Sequence, residues 1–324
     1  MVLGIINLFG IPILMDVHVS KQDSVKINWN IINPEKGMQI KIVCFNPKTE
    51  EILSIPENKI RGDFGEIKTR DKYEISIEKT VFPTNIKDFV IMPELIFQDR
   101  IYYEMELIKK GDYNVPINKK VIEGISVNSF YISKFETTNE QFATFVESDG
   151  YEIHKYWKIN KKVMANSEVG WHYQGTLSIH KPLDWVLDDD IPWKNAESNF
   201  RFGPITNIRW FEANAFANWM NCEIPTQNMM KAAFSLSKYD SSILYQTINM
   251  DSTGVFPLQN VKGGVSEWLS IGVSPFKLSC SAGCNEMYFM SNNAKNIGEP
   301  FDILIKCPLY RNEAVGFRLV IPKQ

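Results

Sequence analysis

The texture of this chain changes near residue 100, and that change limits the folds open to it more than any other feature. Before it, apolar residues recur at strand spacing; after it, helical periodicity alternates with long irregular stretches. "SVKINWNI" (24–31) and "MQIKIVCF" (38–45) alternate or run apolar at strand length, and an Asn-Pro turn signal follows each. "RGDFGEIKTRDKYEISI" (61–77) supplies Gly-Asp and Gly turn chemistry and then another alternating strand. No run in this half is long and helical. About seven short strands at this spacing predict a small β-sandwich. It holds no cluster of His, Cys, Asp and Glu, so its expected role is that of a spacer or docking module.

Beyond the change lie Trp157, Trp171, Trp185, Trp193, Trp210, Trp219 and Trp268, leaving only Trp29 of the eight tryptophans before it. "TTNEQFATFVES" (137–148) predicts a helix capped by Thr138 or Asn139, with Phe142, Phe145 and Val146 on one face. "WFEANAFANWMN" (210–221) places Ala213, Phe216, Ala217 and Met220 on one face of a second. "TQNMMKAAFSL" (226–236), after Pro225, predicts a third with Thr226 as its cap. Loops this long and rich in Trp, Asn and Gly belong either to function or to a fold whose core is partly loop.

A length of 324 residues suggests two domains, and 44% hydrophobic content is ample for a core. The formal charge of −3, from 35 basic and 38 acidic residues, leaves no basic excess for phosphate binding, so no nucleic-acid partner is expected. Residues 2–15 are almost wholly apolar. They are too short for a spanning helix, which needs about 20 residues. They match a signal-peptide core in length but lack a basic n-region and an A-x-A-like site, and a first buried strand fits them equally. No other stretch could span a bilayer as a helix. The five cysteines, Cys44, Cys222, Cys280, Cys284 and Cys307, are too few and too odd in number for a disulfide framework.

Five segments, in order, resemble the formylglycine-generating enzyme, or sulfatase-modifying factor, family. "FYISKFETTNEQFATF" (130–145) resembles its opening strand, Glu-x-Thr-Asn and helix. "PITNIRWFEANAFANWMN" (204–221) resembles its Trp-plus-helix segment, and "EIPTQNMMKAAF" (223–234) its Arg-Leu-Pro-Thr-Glu segment. "GGVSEW" (263–268) is similar to Gly-Asn-Val-Trp-Glu-Trp, and "AVGFRLV" (314–320) to the terminal Gly-Phe-Arg strand. The resemblance runs from about 103 to 322. It implies an α+β, C-type-lectin-like fold with Asn139, Trp210, Glu267, Trp268 and Arg318 as fold-signature residues. "KIRGDFGEI" (59–67) is similar to β-sandwich modules that precede such domains in envelope proteins of Bacteroidota-like bacteria, which implies export.

Enzymes of the family oxidise a client cysteine to formylglycine, using oxygen and a copper ion on two cysteines five positions apart. Thiolates are soft ligands that suit Cu(I). Here "SCSAGC" (279–284) stands at that place. Ser281 aligns with the motif serine and Cys284 with the first copper cysteine, but the second position falls on Phe289, which cannot ligate. Cys280 falls on a motif glycine. A tight turn through Ser-Ala-Gly leaves a Cys280–Cys284 disulfide or two-coordinate site open, although in an extended strand their α-carbons would stand about 13 Å apart. The family Arg and Glu of the third segment are Glu223 and Gln227, and its Trp is Met230. The Asn of Gly-Asn-Val is Gly264, which removes an oxygen where calcium, a seeker of six to eight, is often bound.

The other groups are plainer. His18, His154, His172 and His180 show no zinc spacing. "LDDD" (187–190) reads as a solvated loop. "GWHYQG" (170–175) is an aromatic loop in which Trp171, His172 and Tyr173 could line a ligand cleft, with Trp171 expected in the core. No P-loop, nucleophile elbow or dinucleotide fingerprint is present.

The reading that follows has three segments: residues 1–15, a signal or first strand; 16–102, an immunoglobulin- or fibronectin-like β-sandwich; and 103–324, a formylglycine-generating-enzyme-like domain. Intact fold signatures beside altered chemical positions describe a non-catalytic binding or structural pseudoenzyme of a bacterial envelope or surface, with export to the periplasm, outer membrane surface or exterior expected and a cytoplasmic place left open. Its expected partners are other envelope proteins or glycan. No cofactor is expected, with copper only under an oxidase reading and calcium left open. Two alternatives stand beside it: a divergent copper-dependent cysteine oxidase using Cys284, Cys280 and Ser281, and a variable lectin-like ligand-binding protein.

Overall fold

Two four-stranded antiparallel sheets account for the first eight strands. β1 (Ile13–Lys21), β2 (Ser24–Ile32), β4 (Ile60–Gly62) and β6 (Lys72–Glu78) form one, in the order β1-β2-β6-β4. β3 (Gln39–Phe45), β5 (Gly65–Glu66), β7 (Val90–Phe97) and β8 (Arg100–Tyr102) form the other, in the order β5-β3-β7-β8. This is a computed structural model, and it describes residues 10–47, 49, 51–70, 72–83, 86–116, 122–160, 167–177, 179–182, 185, 201–236, 258, 261, 264–270, 287–290, 303–306 and 308–323. The chain divides into two compact units, with a boundary between Glu106 and Leu107.

In the first unit the period-2 pattern becomes burial. Val25, Ile27, Trp29 and Ile31 of β2 point inward, as do Tyr73, Ile75 and Ile77 of β6. Trp29 lies opposite Tyr73 in the ladder and stacks on it at 5.8 Å. Ile13, Leu14 and Met15 open β1, while residues 1–9 lie outside the described set. β1 then bulges between Met15 and His18, where Asp16 takes a φ of 54°. The freed N–H of Val17 is recovered by the buried Glu104, whose Oε1 accepts it at 3.0 Å. At the end of β4, Gly62 has a φ of +104°, and a Cβ there would meet the Glu74 carbonyl oxygen at 2.3 Å, so only glycine fits.

Cys44 is fully buried in β3, and burial pushes its thiol up to about 12 although the Lys21 ammonium nearby pulls the other way. An alkylating reagent at pH 8 is expected to leave Cys44 unmodified. Its labelling rate should keep climbing about tenfold per pH unit through pH 10, where an ordinary thiol of pKa about 8.5 has levelled off. Peptide mapping after timed alkylation reads this directly; labelling that plateaus near pH 9 would refute the burial argument.

Among the described residues the second unit mixes small sheets with four helices. β9 (Met105–Ile108), β12 (Phe130–Ser133) and β17 (Val320–Pro322) form a sheet in the order β17-β12-β9. β10 (Gly111–Pro116) and β11 (Ile122–Val127) form a hairpin with Gly111 opposite Val127. β13 (Ser266–Trp268), β14 (Met287–Met290), β15 (Ile303–Lys306) and β16 (Val315–Gly316) are ordered β15-β14-β13-β16, with β13 and β16 parallel. The helices are α1 (Asn139–Glu147), α2 (Val169–Thr176), α3 (Trp210–Trp219) and α4 (Gln227–Leu236). The architecture is α+β, as the family resemblance implies.

Thr138, not Asn139, is the cap of α1. Its hydroxyl accepts from the Gln141 N–H while the Gln141 side chain accepts from the Thr138 N–H, a reciprocal capping box. Thr226 accepts from the Met229 N–H at the start of α4. α4 lies on the β10–β11 hairpin, where Lys231 reaches Glu123 at 2.5 Å. α3 is more enclosed than a one-faced helix: besides Ala213, Phe216 and Ala217, it buries Trp210, Phe211, Glu212, Ala215 and Trp219. Among the described residues no helix is long and apolar enough to cross a membrane.

Candidate functional site

The signature residues are all turned into the interior, and Glu267 and Arg318 form a buried polar knot there. Asn139, Trp210, Glu267, Trp268 and Arg318 are each no more than 1% exposed. Arg318 donates through Nε and Nη2 to both carboxylate oxygens of Glu267, each at 2.7 Å, and through Nη1 to the Ser133 carbonyl at 3.2 Å. Burial works against this guanidinium's charge, but the Glu267 carboxylate outweighs it and holds the pKa above its ordinary value. Glu136 Oε1 accepts the Val265 N–H at 2.9 Å. The indole of Trp268 donates to the Ile208 carbonyl and that of Trp210 to the Leu269 carbonyl. Gly264, which stands where the family has Asn, has a φ of +72°. Glycine and asparagine are the residues that tolerate that region best, so the replacement keeps the backbone while losing the side-chain oxygen.

A second internal pair lies beside α3. Tyr151 donates to Glu212 Oε1 at 2.7 Å, and Glu212 Oε2 accepts the Arg209 N–H at 2.8 Å. Burial raises the Glu212 carboxyl against the pull of Arg209, and burial together with Glu212 raises the Tyr151 phenol well above its usual range. Glu136, Ser133, Tyr151 and Glu212 were not singled out by sequence reasoning. Glu136 alone had a signal, as the Glu of "FETTN".

The exposed chemistry sits elsewhere, on α2 and the 3-10 turn His154–Trp157. "GWHYQG" was expected as a loop with Trp171 in the core; it is helical, and Trp171 is only half-buried. The reason is tertiary. Gly170 sits so close to the Trp157 carbonyl oxygen that a Cβ would meet it at 2.5 Å, which seats the helix on the turn and tips Trp171 outward. Trp171 meets the His154 ring at 5.0 Å. His154 Nε2 contacts Glu168 Oε2 at 2.5 Å, and Lys158 Nζ stands 3.5 Å from Glu168 Oε1. The hydrogen bond from His154, ahead of the Lys158 charge, lowers the Glu168 pKa. Tyr173 instead stacks inward on Phe211 at 5.3 Å, so it does not share this surface, while His172 is exposed. Gly170→Ala is expected to displace α2 and cost about 1–3 kcal/mol by overpacking. Chemical denaturation measures the loss, and amide exchange faster across 169–176 than in α1 locates it.

Cys280, Ser281 and Cys284, with the loop 187–190, lie outside the described residues. Phe289, on which the second copper position falls, has its backbone in β14 opposite Trp268. Among the described residues no group of three or more His, Cys, Asp or Glu is placed to hold a metal ion.

Known proteins resemble parts of this chain. Residues 97–254 match the model of the sulfatase-modifying factor enzyme 1-like domain, a span that stops before "GGVSEW" and the Arg318 strand. The chain is 24% identical over 119 residues to a hercynine oxygenase of Mycolicibacterium thermoresistibile, covering 34% of this chain and 23% of that one. It is 21% identical over 137 residues to the serine/threonine-protein kinase pkn1 of Chlamydia caviae, covering 42% and 19%. It therefore spans about a quarter or less of the length of these relatives. Among solved structures, CarF aligns with a TM-score of 0.38 at 16% identity, over 68% of this chain and 98% of that one. Variable protein 1 of Treponema denticola aligns with a TM-score of 0.37 at 12% identity, over 72% and 96%. Residues 97–254 are thus similar to the sulfatase-modifying factor enzyme 1-like domain.

Proposed function

We propose that this protein is a non-catalytic binding or structural component of a bacterial envelope or surface assembly. One observation carries the reading: the family's signature groups are turned wholly inward. Glu267 spends both oxygens on Arg318, and the indoles of Trp210 and Trp268 are bound to carbonyls. Among the groups that face solvent is a cluster of histidine, tryptophan, glutamate and lysine that suits contact with a partner. The copper chemistry of family enzymes needs two thiolates, and the aligned positions offer Cys284 and Phe289. A phenyl ring supplies no donor, so these residues do not fit that site.

The rival reading, a divergent cysteine oxidase, draws on the relatives named hercynine oxygenase. Oxygen uptake with Cu(I) and a cysteine-containing peptide separates the two. The binding reading expects no uptake above that of the Cys284→Ser variant; uptake that this substitution abolishes would establish the oxidase. A tagged protein recovered from native envelopes is expected to bring other envelope components with it. Recovery as a lone protein from the cytoplasm would overturn the proposal.

A further inference from the structure

Resting on the binding role above, the geometry points to the α2 surface around Trp171 as a site for a neutral saccharide ring. Trp171 is half-buried, and its one ring contact among the described residues is His154, at 5.0 Å and an interplanar angle of 51°. A half-buried indole keeps part of its surface in solvent, and an indole ring is the kind of surface that accepts the C–H face of a pyranose. The polar groups beside it form a connected set. Glu168 lies three residues before Trp171, on the same side of the helix. His154 contacts one of its carboxylate oxygens at 2.5 Å, and Lys158 stands 3.5 Å from the other. All three remain open to solvent, with side chains 45–52% exposed.

The charge balance selects the ligand. Lys158 and Glu168 already offset one another, and His154 adds a donor or an acceptor according to its tautomer. An anion placed here would meet Glu168, and a cation would meet Lys158; either would break an existing pair without replacing it. A hydroxyl donates and accepts at once, so it can take a bond from Lys158 or His154 and give one to Glu168 with no change in charge. A protein partner would have to cover these paired charges and pay their desolvation, whereas the hydroxyls of a sugar continue the same hydrogen-bond network. The platform is also rigid. Asn218 Nδ2 donates to the Tyr156 and Lys158 carbonyls at 2.7 and 2.8 Å, which holds the turn on α3. Gly170 seats α2 on the Trp157 carbonyl. A preorganised surface loses little entropy on binding.

The test is a glycan array probed with the full chain, followed by calorimetry with the best neutral oligosaccharide retained. Retention of neutral glycans is expected, with affinity falling at least about tenfold in Trp171→Ala and in Glu168→Gln. Trp171→Phe, which keeps a smaller ring, should retain more affinity than Trp171→Ala. Circular dichroism checks that each variant is folded. No neutral glycan retained, or equal affinity in wild type and Trp171→Ala, would overturn the site. Selective retention of charged glycans, or loss of envelope proteins from a pull-down by Trp171→Ala without any glycan bound, would overturn it in favour of an ionic ligand or a protein partner. None of these failures touches the broader binding role, which stands or falls on the envelope recovery and the oxygen-uptake measurement.

Discussion

Arg318→Met is expected to lower the unfolding free energy by about 3–5 kcal/mol, the usual cost of stranding one partner of a buried ion pair. Glu267 is fully buried and takes its strongest bonds from this guanidinium. Without it, a carboxylate is left in the interior with no countercharge, and the Ser133 carbonyl loses a donor as well. Glu267→Gln should cost a similar amount, because the arginine charge is then the one left unpaired. The double replacement Arg318→Met with Glu267→Leu should recover much of the loss, since it removes both desolvation costs together. Urea titration of the four proteins closes the cycle. Additive single effects, or a loss under about 1 kcal/mol for Arg318→Met, would show that this pair does not organise the core.

Phe142→Ala is the second large expected loss, again about 3–5 kcal/mol. Phe142 is completely buried in α1. Its ring stacks on Phe216 of α3 at 5.1 Å and meets Phe145, Trp185, Tyr151 and Phe317 edge-on at 5.5–6.4 Å. Truncation leaves a void bordered by large rigid rings, which cannot collapse to fill it, so the cavity cost adds to the lost transfer energy. Near-ultraviolet dichroism, which reports fixed aromatic packing, should weaken with the fall in stability. Phe142→Leu, which keeps most of the volume, should lose clearly less. Equal losses for the two would mean that ring geometry rather than volume sets the cost.

The parts of this fold that could be read in advance are those where local pattern and tertiary role agree. In β2 and β6, residues alternate and the inward set is apolar, so period and burial coincide. In α1, the Thr138 cap and the Phe142–Phe145 face are both local signals. α2 failed because its sequence argues against a helix: "VGWHYQGT" carries Gly170 and Gly175 and no clear apolar stripe. It is helical because packing demands it, and the close approach of Gly170 to Trp157 appears only after both elements are placed. The same ignorance put Trp171 in the core. Residues 279–284 were singled out for their cysteines, yet the chemistry open to view is at residues 154–171, where only Trp171 had been marked for binding and His154 had been set aside for want of zinc spacing. Glu168, His154 and Lys158 are ordinary surface types, joined only by the turn that folds back onto the helix. The knot at Arg318 was visible as separate signature residues, whereas the pairing of Arg318 with Glu267 and the part of Glu136 were not.

The pairing of β12 with β17 has a consequence in time. Tyr131 lies opposite Ile321, and Arg318 donates to a carbonyl 185 residues earlier in the chain. The sheet that opens the second unit is therefore completed by a segment made long after its first strands. Such long sequence separations slow folding, because a large loop must close before its contacts reward it. During synthesis β12 must wait with one edge open, and Glu267 must wait for its countercharge, until residue 322 has left the ribosome. A chain stopped short of Arg318 would keep both liabilities, and chaperones and proteases would meet it as an unfinished protein.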